Sequence, residues 1–169
     1  KSVDDAHALL SAGADKVSVN SAAVRTPTLI TQISAAFGRQ CTVVSVDAVR
    51  RSEGRWAVLT RSGTEDAQLD AVDWMCETAS RGAGEILLTS WDRDGTREGY
   101  ELALLRVAAA QVPVPIIASG GANSAQHMAD AFRAGASAVL AASIFHDGDT
   151  TVADVKNILK LEGICVRTC

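Results

Sequence analysis

The chain has 169 residues, of which 47% are hydrophobic and 21% are charged, and its formal net charge is -4. This length allows one well-buried domain, and the slightly acidic balance gives no support for nucleic acid or an anionic membrane as a partner. No apolar run approaches the length of a membrane span, and the N-terminus lacks a signal-peptide pattern.

The first part of the chain predicts two helices and two strands. They are a helix over 2–12, a strand over 15–20, a helix from 26 to 37 and a strand over 42–47. Ser2 is a suitable N-cap for the first helix and Gly13 a suitable left-handed terminator, while Pro27 fits the first turn of the second helix. The chain begins inside a predicted helix and without methionine, which suggests a fragment of a longer protein.

The rest of the chain predicts further helices and strands in alternation. A charged stretch over 50–55 and an apolar run over 56–60 predict a hairpin excursion. We then expect a loop over Ser62–Gln68, helices over 69–81, 100–110, 124–134 and 151–161, and strands over 85–90, 116–119 and 138–142. Pro113 and Pro115 block continuation of the helix over 100–110 and lead into the fourth parallel strand, 116–119.

A short repeat supports a fold made of βα units. Gly13-Ala14, Gly82-Ala83 and Gly135-Ala136 each lie between a predicted helix and the next strand. Strands that alternate with helices through short turns indicate an α/β protein with a parallel sheet, either open and doubly wound or part of a (β/α)8 TIM barrel. A complete barrel needs about 250 residues, so we expect one domain over 1–169 that holds about five βα units.

Polar residues follow every predicted parallel strand. They are Asn20 and Ser21, Asp47, Thr89 with the loop 91–99 that contains Asp94 and Gly95, Gly120 and Gly121, and Ala142 and Ser143. The carboxyl ends of parallel strands lie on one rim, so these residues converge on one site. A charged loop of this kind can also be a solvated turn.

Two of these strand ends predict a phosphate site. Gly120-Gly121 before the helix that begins near Ser124 leaves backbone N–H groups free for an anion, and Ala142-Ser143 before a short turn can offer another set. A lone Gly-Gly pair is usually a tight turn, but the pairing with the neighbouring strand end favours phosphate binding.

Asp47 is the first candidate for acid–base chemistry. It ends the apolar run 43–46, where partial desolvation would raise the pKa of its carboxyl into the range of a general acid or base. Asp47 as a cap of the next loop is the alternative. Asp94 is able to assist it or to brace its own loop against Arg93.

The cysteines and histidines indicate no metal and no cofactor. Cys41, Cys76, Cys165 and Cys169 show no C-x-x-C spacing, and the three histidines are scattered. A zinc site or a disulfide framework is therefore not expected, and because a reducing cytosol fits this pattern better, we expect a cytoplasmic protein.

At this point the motifs identify a resemblance that covers essentially the whole chain. The motifs are Asp-Lys-Val-Ser-Val-Asn (15–20), Ser-Val-Asp-Ala (45–48), Gly-Ala-Gly-Glu-Ile-Leu-Leu-Thr-Ser-Trp-Asp-Arg-Asp-Gly-Thr (82–96), Ile-Ile-Ala-Ser-Gly-Gly-Ala (116–122) and Leu-Ala-Ala-Ser-Ile-Phe-His (140–146). Together they resemble the cyclase subunits of imidazole glycerol phosphate synthase, a lyase family of histidine biosynthesis.

The resemblance implies a (β/α)8 barrel that takes a doubly phosphorylated phosphoribulosyl aminoimidazole carboxamide. Ammonia from a glutaminase subunit, docked at the opposite face, drives cleavage and cyclisation to imidazole glycerol phosphate and an aminoimidazole carboxamide ribotide. This chain would supply strands four to eight. The first three units, with a second catalytic aspartate and a glycine-rich phosphate loop, would lie outside it, so we expect the isolated chain to be inactive.

The resemblance also implies a role for each candidate residue. Asp47 would be a catalytic acid or base, with Asp94 and Thr89 lining the reaction centre. Gly95, Gly120, Gly121, Ala142 and Ser143 would hold one phosphate, and Asn20 and Ser21 would contribute to the other. Lys16 and Glu85 would belong to the charged gate for ammonia, or form a rim salt bridge worth at most about 1 kcal/mol.

One segment departs from the family pattern. Family members often carry a basic, Thr-Gly-containing loop after strand five, whereas Ser62–Gln68 is acidic and lacks the second glycine. Because that loop would help to close over substrate, its altered charge bears on the affinity for a doubly phosphorylated ligand.

Two other functions stay open on the sequence. The sister phosphoribosyl isomerase of histidine biosynthesis shares the barrel and an Arg-Asp-Gly-Thr loop but uses no ammonia. The other possible function is that of a non-catalytic half-barrel, which binds phosphate and associates through its open sheet edges.

Overall fold

The computed structural model describes residues 1–167 and contains one mixed sheet with helices packed on it. The strands are β1 (Val17–Val19), β2 (Thr42–Ser52), β3 (Arg55–Thr60), β4 (Glu65–Asp70), β5 (Glu85–Ser90), β6 (Ile116–Ser119) and β7 (Ala138–Val139). The helices are α1 (Val3–Ser11), α2 (Ser21–Arg25), α3 (Thr28–Phe37), α4 (Ala71–Ser80), α5 (Leu102–Gln111), α6 (Ala125–Arg133), α7 (Ser143–His146) and α8 (Val152–Leu161). Over this described range, no helix has the length and apolar character needed to cross a membrane.

The sheet confirms the predicted α/β class. Its strand order is β4-β3-β2-β5-β6-β7, and β1 pairs with the first half of β2 on the edge that β3 uses further along. The β1–β2, β2–β5, β5–β6 and β6–β7 pairs are parallel, whereas β3 pairs antiparallel with both β2 and β4. Parallel strands that alternate with helices are the repeating unit of a (β/α)8 barrel.

The two faces of the parallel strands differ in burial. Side chains alternate between the faces of a strand, and every second residue of the central strands is buried under the helices: Val44, Val46, Ala48, Ile86, Leu88, Ile116 and Ala118. We call the opposite face the inner face. Its residues, by alternation and register, are Lys16, Ser18, Asn20, Val43, Ser45, Asp47, Glu85, Leu87, Thr89, Ile117 and Ser119.

Local capping explains where several helices begin. Ser2 and Asp5 form a capping box at α1, which confirms the predicted N-cap, and Ser124 accepts a hydrogen bond from His127 N at the start of α6. Thr151 caps α8 by accepting from Asp154 N. Each such cap satisfies a backbone N–H that has no partner within its helix, which is worth about 1 kcal/mol.

The predicted hairpin is confirmed, but its second strand was missed. Ser62–Gln68 is a loop only as far as Thr64, and β4 begins at Glu65. Leu69 therefore belongs to a strand rather than to a helix, and α4 starts after Asp70, whose carboxylate accepts from the backbone N–H groups of Val72 and Asp73. Antiparallel pairing with β3 satisfies backbone hydrogen-bonding groups of this polar segment, although its sequence lacks the alternation of apolar and polar residues that predicts a strand.

Ion pairs neutralise the two acids of that segment. Glu65 pairs with Arg61 at 3.1 Å, and Asp66 pairs with Arg51 on β2. The acidic character of Ser62–Gln68 is thus matched by arginines of the same hairpin.

Other boundaries also differ from the predictions. The strand predicted over 138–142 is β7, which ends at Val139, and Leu140 N donates to Ala118 O at 2.8 Å just beyond it. The short helix α2 was not predicted, and α3 begins one residue after Pro27.

Candidate functional site

A row of polar side chains crosses the sheet at the carboxyl ends of its central strands. Asp47 of β2 is the register partner of Thr89 of β5, and Thr89 is the partner of Ser119 of β6. Asn20, just after β1, joins this row because its Nδ2 donates to Asp47 Oδ2 at 2.9 Å. The structure therefore brings together three of the predicted site residues, Asn20, Asp47 and Thr89, on the inner face.

The Asp47 carboxyl is suited to proton transfer. It is half-buried, and this burial raises its pKa above the usual 3.8. The Asn20 amide lowers the pKa through its hydrogen bond to the charged form, whereas the negative charge of Asp94 raises it. The net direction is upward, so Asp47 holds its proton to a higher pH than an exposed aspartate does.

The loop after β5 places Asp94 near this carboxyl. Asp94 is exposed, and its backbone N–H donates to Ser90 O at 3.0 Å, which tightens the turn directly after the strand. In the same turn, Asp92 Oδ2 accepts from Arg50 N at 2.7 Å and ties the loop to β2. The loop is therefore braced through Asp92, which leaves the Asp94 carboxylate free to act on Asp47 through its charge.

A cavity of about 270 Å³ lies beside this row, at the ends of β5, β6 and β7. It is lined by Asp94, Gly95, Arg97, Ser119, Gly120, Gly121, Ala122, Leu140, Ala141, Ala142 and Ser143. All five residues predicted for the first phosphate are in this set. Three separate strand ends thus converge on one cavity, as expected for a parallel sheet.

Two glycines let the backbone approach closely at the cavity wall. Gly121 has φ +90°, and a Cβ there would lie 2.3 Å from Gly99 O. Gly99 N donates to Gly121 O at 2.7 Å, which holds the two loops together. At Gly120, with φ +95°, a Cβ would lie 2.7 Å from Ser90 O. Only glycine combines this dihedral with this contact distance.

Asn20 and Ser21 lie outside this cavity. Ser21 Oγ accepts from Arg61 N at 3.0 Å, so the start of α2 contacts the turn of the β3–β4 hairpin. In that turn Arg61, Ser62 and Gly63 all have positive φ, at 50°, 56° and 80°. The structure therefore divides the predicted phosphate residues into two groups, one in the cavity and one at the hairpin.

Lys16 and Glu85 lie at the other end of the inner face. Lys16 Nζ and a Glu85 carboxylate oxygen form an ion pair across the amino-terminal end of the sheet. The two side chains are 45% and 25% exposed. The sequence prediction that they lie near each other, close to the strand N-termini, agrees with this geometry.

Two features of the site were missed from the sequence. Arg97 lines the cavity. Its position in the loop after β5 could have indicated a role at this site. The indole of Trp91 covers Gly63, where a Cβ would lie 2.1 Å from Trp91 Cζ2. That contact joins two loops far apart in sequence, so it had no local signal.

The sequence is similar to known proteins of histidine biosynthesis. The family model described as "Histidine biosynthesis protein" matches residues 1–151. The imidazole glycerol phosphate synthase subunit HisF of Myxococcus xanthus is 53% identical over an alignment of 169 residues. That alignment covers 99% of this chain and 66% of the relative, so the chain spans just under two thirds of that protein's length. The chain therefore belongs to the family of histidine biosynthesis proteins.

Proposed function

We propose that this chain is part of a cyclase subunit of imidazole glycerol phosphate synthase, a lyase that acts in the cytoplasm. Its reaction is the ammonia-dependent cleavage and cyclisation of a phosphoribulosyl aminoimidazole carboxamide. The observation that carries the proposal is the half-buried Asp47, held by Asn20 beside Thr89 and next to a cavity lined mostly by small residues. The 53% identity to a subunit of that synthase supports it.

In this proposal Asp47 exchanges a proton with the substrate. Its raised pKa keeps a proton available for donation, and the carboxylate that remains can accept one in the following step. Asn20 fixes the orientation of the carboxyl through Oδ2, which leaves Oδ1 to face the reacting atoms. Thr89, the register partner of Asp47, presents a hydroxyl on the same face.

The cavity fits a phosphate monoester. Its wall includes Gly120, Gly121, Ala142 and Ser143 at two strand ends, and backbone N–H groups of such turns bind anions without a requirement for many charged side chains. Asn20 and Ser21, at the hairpin, would contact the second phosphate. With one phosphate in the cavity and the other at Asn20 and Ser21, the substrate would extend past Asp47, which lies beside Asn20 at the carboxyl end of the sheet.

The inner face offers a route for ammonia along the sheet. Glu85 and Thr89 are four residues apart on β5, which corresponds to about 13 Å. Lys16 and Glu85 would mark the entry, where a glutaminase subunit docks. Apolar or small residues, such as Ser45 and Leu87, lie between the entry and Asp47.

Complementation tests the proposal. The chain is assayed for ammonia-dependent cyclisation alone and after mixing with the three amino-terminal βα units of a cyclase. We expect turnover only in the mixture, and Asp47→Asn should reduce it by about 10²- to 10⁴-fold because the proton donor is lost. Asp15→Asn is the matched control, since Asp15 is exposed and precedes β1 at the opposite end of the sheet.

The outcomes separate the candidate functions. Turnover that survives Asp47→Asn would contradict the assigned role. Isomerisation of the sister enzyme's substrate by the mixture, without ammonia consumption, would replace the cyclase by the isomerase. Phosphate binding without either reaction, from a mixture shown by sizing to have associated, would favour the non-catalytic half-barrel.

A further inference from the structure

Arg97 brings a positive charge to the cavity at the ends of β5, β6 and β7. Among the residues that line it, Arg97 is the one cation and Asp94 the one carboxylate. The rest of the wall is glycine, alanine, serine and Leu140. Backbone N–H groups carry only partial charges, so the full charge of Arg97 would make the strongest single electrostatic interaction with a dianionic ligand in this cavity.

Two acids from the segment after α7 hold the Arg97 guanidinium. Nη2 pairs with Asp147, and Nη1 lies 3.0 Å from an oxygen of Asp149. The pairs connect the loop after β5 to the segment after β7, and these two segments face each other across the cavity. The Arg97 side chain is 38% exposed, so solvent and small anions reach it.

The backbone at Arg97 is in a sparsely populated conformation. Its φ is +63°, in the left-handed region that costs a residue with a Cβ about 1–2 kcal/mol. Such strain persists where surrounding contacts hold the residue in place, and it is frequent at ligand sites. The guanidinium of the same residue is held by its ion pairs to Asp147 and Asp149.

We propose that Arg97 is a phosphate-binding residue of this cavity, and that Asp147 and Asp149 position its guanidinium while competing with the ligand for it. The inference rests on the proposed phosphate site and adds to it a specificity for dianionic phosphate monoesters. Guanidinium binds phosphate through two parallel N–H donors, which suits a ligand that replaces one carboxylate partner with a phosphate oxygen.

The competition distinguishes a ligand-binding role from a purely structural one. If Arg97 binds phosphate, loss of Arg97 weakens binding, whereas loss of an Asp149 charge strengthens it by removing a rival acceptor and a repelling charge. If the ion pairs only brace the two loops, loss of either partner loosens the cavity and weakens binding. The two roles thus predict opposite signs for Asp149→Asn.

The test is calorimetric titration of the chain with inorganic phosphate and with glycerol 3-phosphate. We expect Arg97→Gln to raise the dissociation constant about 10-fold, and Arg97→Lys to recover part of the loss. Asp149→Asn should lower the dissociation constant about threefold. Arg133→Gln is the matched control, because Arg133 also pairs with two carboxylates, Asp130 and Glu162, and does not line the cavity.

Each outcome has a definite meaning. Binding to the parent chain that Arg97→Gln leaves unchanged would overturn the role of Arg97 but leave the phosphate site standing. Weaker binding in both Arg97→Gln and Asp149→Asn would overturn it in favour of a structural brace. If the parent chain binds neither probe, the proposed phosphate site itself fails. Thermal unfolding of each variant shows whether the fold is retained.

Discussion

The side-chain amide of Asn20 donates to Asp47 Oδ2 at 2.9 Å, which joins the carboxyl ends of β1 and β2. The other polar atom of that amide, Oδ1, is buried and has no hydrogen-bond partner among residues 1–167. An unpaired buried acceptor costs free energy. The same contact makes the protonation of Asp47 depend on Asn20.

Asn20→Ala should raise the pKa of Asp47 further above its usual value. The amide hydrogen bond favours the charged carboxylate, so its removal leaves burial and the Asp94 charge unopposed. Carbon-13 NMR titration of the Asp47 carboxyl measures this. Asn157→Ala, at an exposed position on α8, serves as the control and should leave the titration unchanged. A lower Asp47 pKa in the Asn20 variant would contradict the assignment.

Asp47→Asn should stabilise the chain at neutral pH. Because the folded pKa of Asp47 lies above 3.8, its contribution to stability is fully present below about pH 3.8 and is lost as pH rises through the raised pKa. An asparagine remains neutral and can still accept from Asn20. Urea unfolding at pH 7 and pH 3.5 should show a gain over the parent chain at pH 7 that shrinks at pH 3.5. A gain that is larger in acid would contradict the upward shift.

Gly121→Ala should disrupt the cavity wall. The new Cβ would meet the Gly99 carbonyl at 2.3 Å in a backbone with φ +90°, and no side-chain rotation relieves a backbone contact. We expect a loss of about 3 kcal/mol in the free energy of unfolding. Gly13→Ala is the matched control, since φ is +104° and nothing lies within 4 Å of the added atom. It should cost about 1–2 kcal/mol. Equal losses would show that the Gly121 contact yields easily.

The Trp91–Gly63 contact should couple the loop after β5 to the hairpin. Gly63→Ala places a Cβ 2.1 Å from the indole, so it should destabilise the chain by about 2 kcal/mol or more. In a Trp91→Ala background the same substitution should cost only the left-handed backbone strain, about 1 kcal/mol. Denaturant unfolding of the four proteins measures the coupling energy. A cost independent of Trp91 would show that the indole moves aside.

The Lys16–Glu85 pair should contribute little to stability. Both side chains are partly exposed, so a double-mutant cycle with Lys16→Met and Glu85→Gln should give a coupling of at most about 1 kcal/mol that falls in 1 M salt. A gate role predicts that these variants still reduce glutamine-driven turnover of the assembled synthase while ammonia-driven turnover is kept. A large coupling with unchanged glutamine-driven turnover would identify a structural ion pair.

Local signals in the sequence predicted most of the elements. Ser2, Ser124 and the glycines after α1, α4 and α6 mark helix ends through hydrogen bonds and dihedrals that depend on a few neighbouring residues. β4 escaped prediction because Glu65–Asp70 is polar and exposed. Its strand conformation comes from pairing with β3, which a local pattern does not report.

The sequence by itself determined that polar residues follow the parallel strands, because strand ends and helix starts are local. It placed Asp47, Gly121 and Ser143 on one rim for the same reason. Tertiary structure alone decided which of them meet: Asn20 bonds Asp47, Trp91 covers Gly63, and Arg97 reaches Asp147 across the cavity. These contacts join residues 27 to 50 positions apart, and only the packed sheet brings such distant side chains within bonding distance.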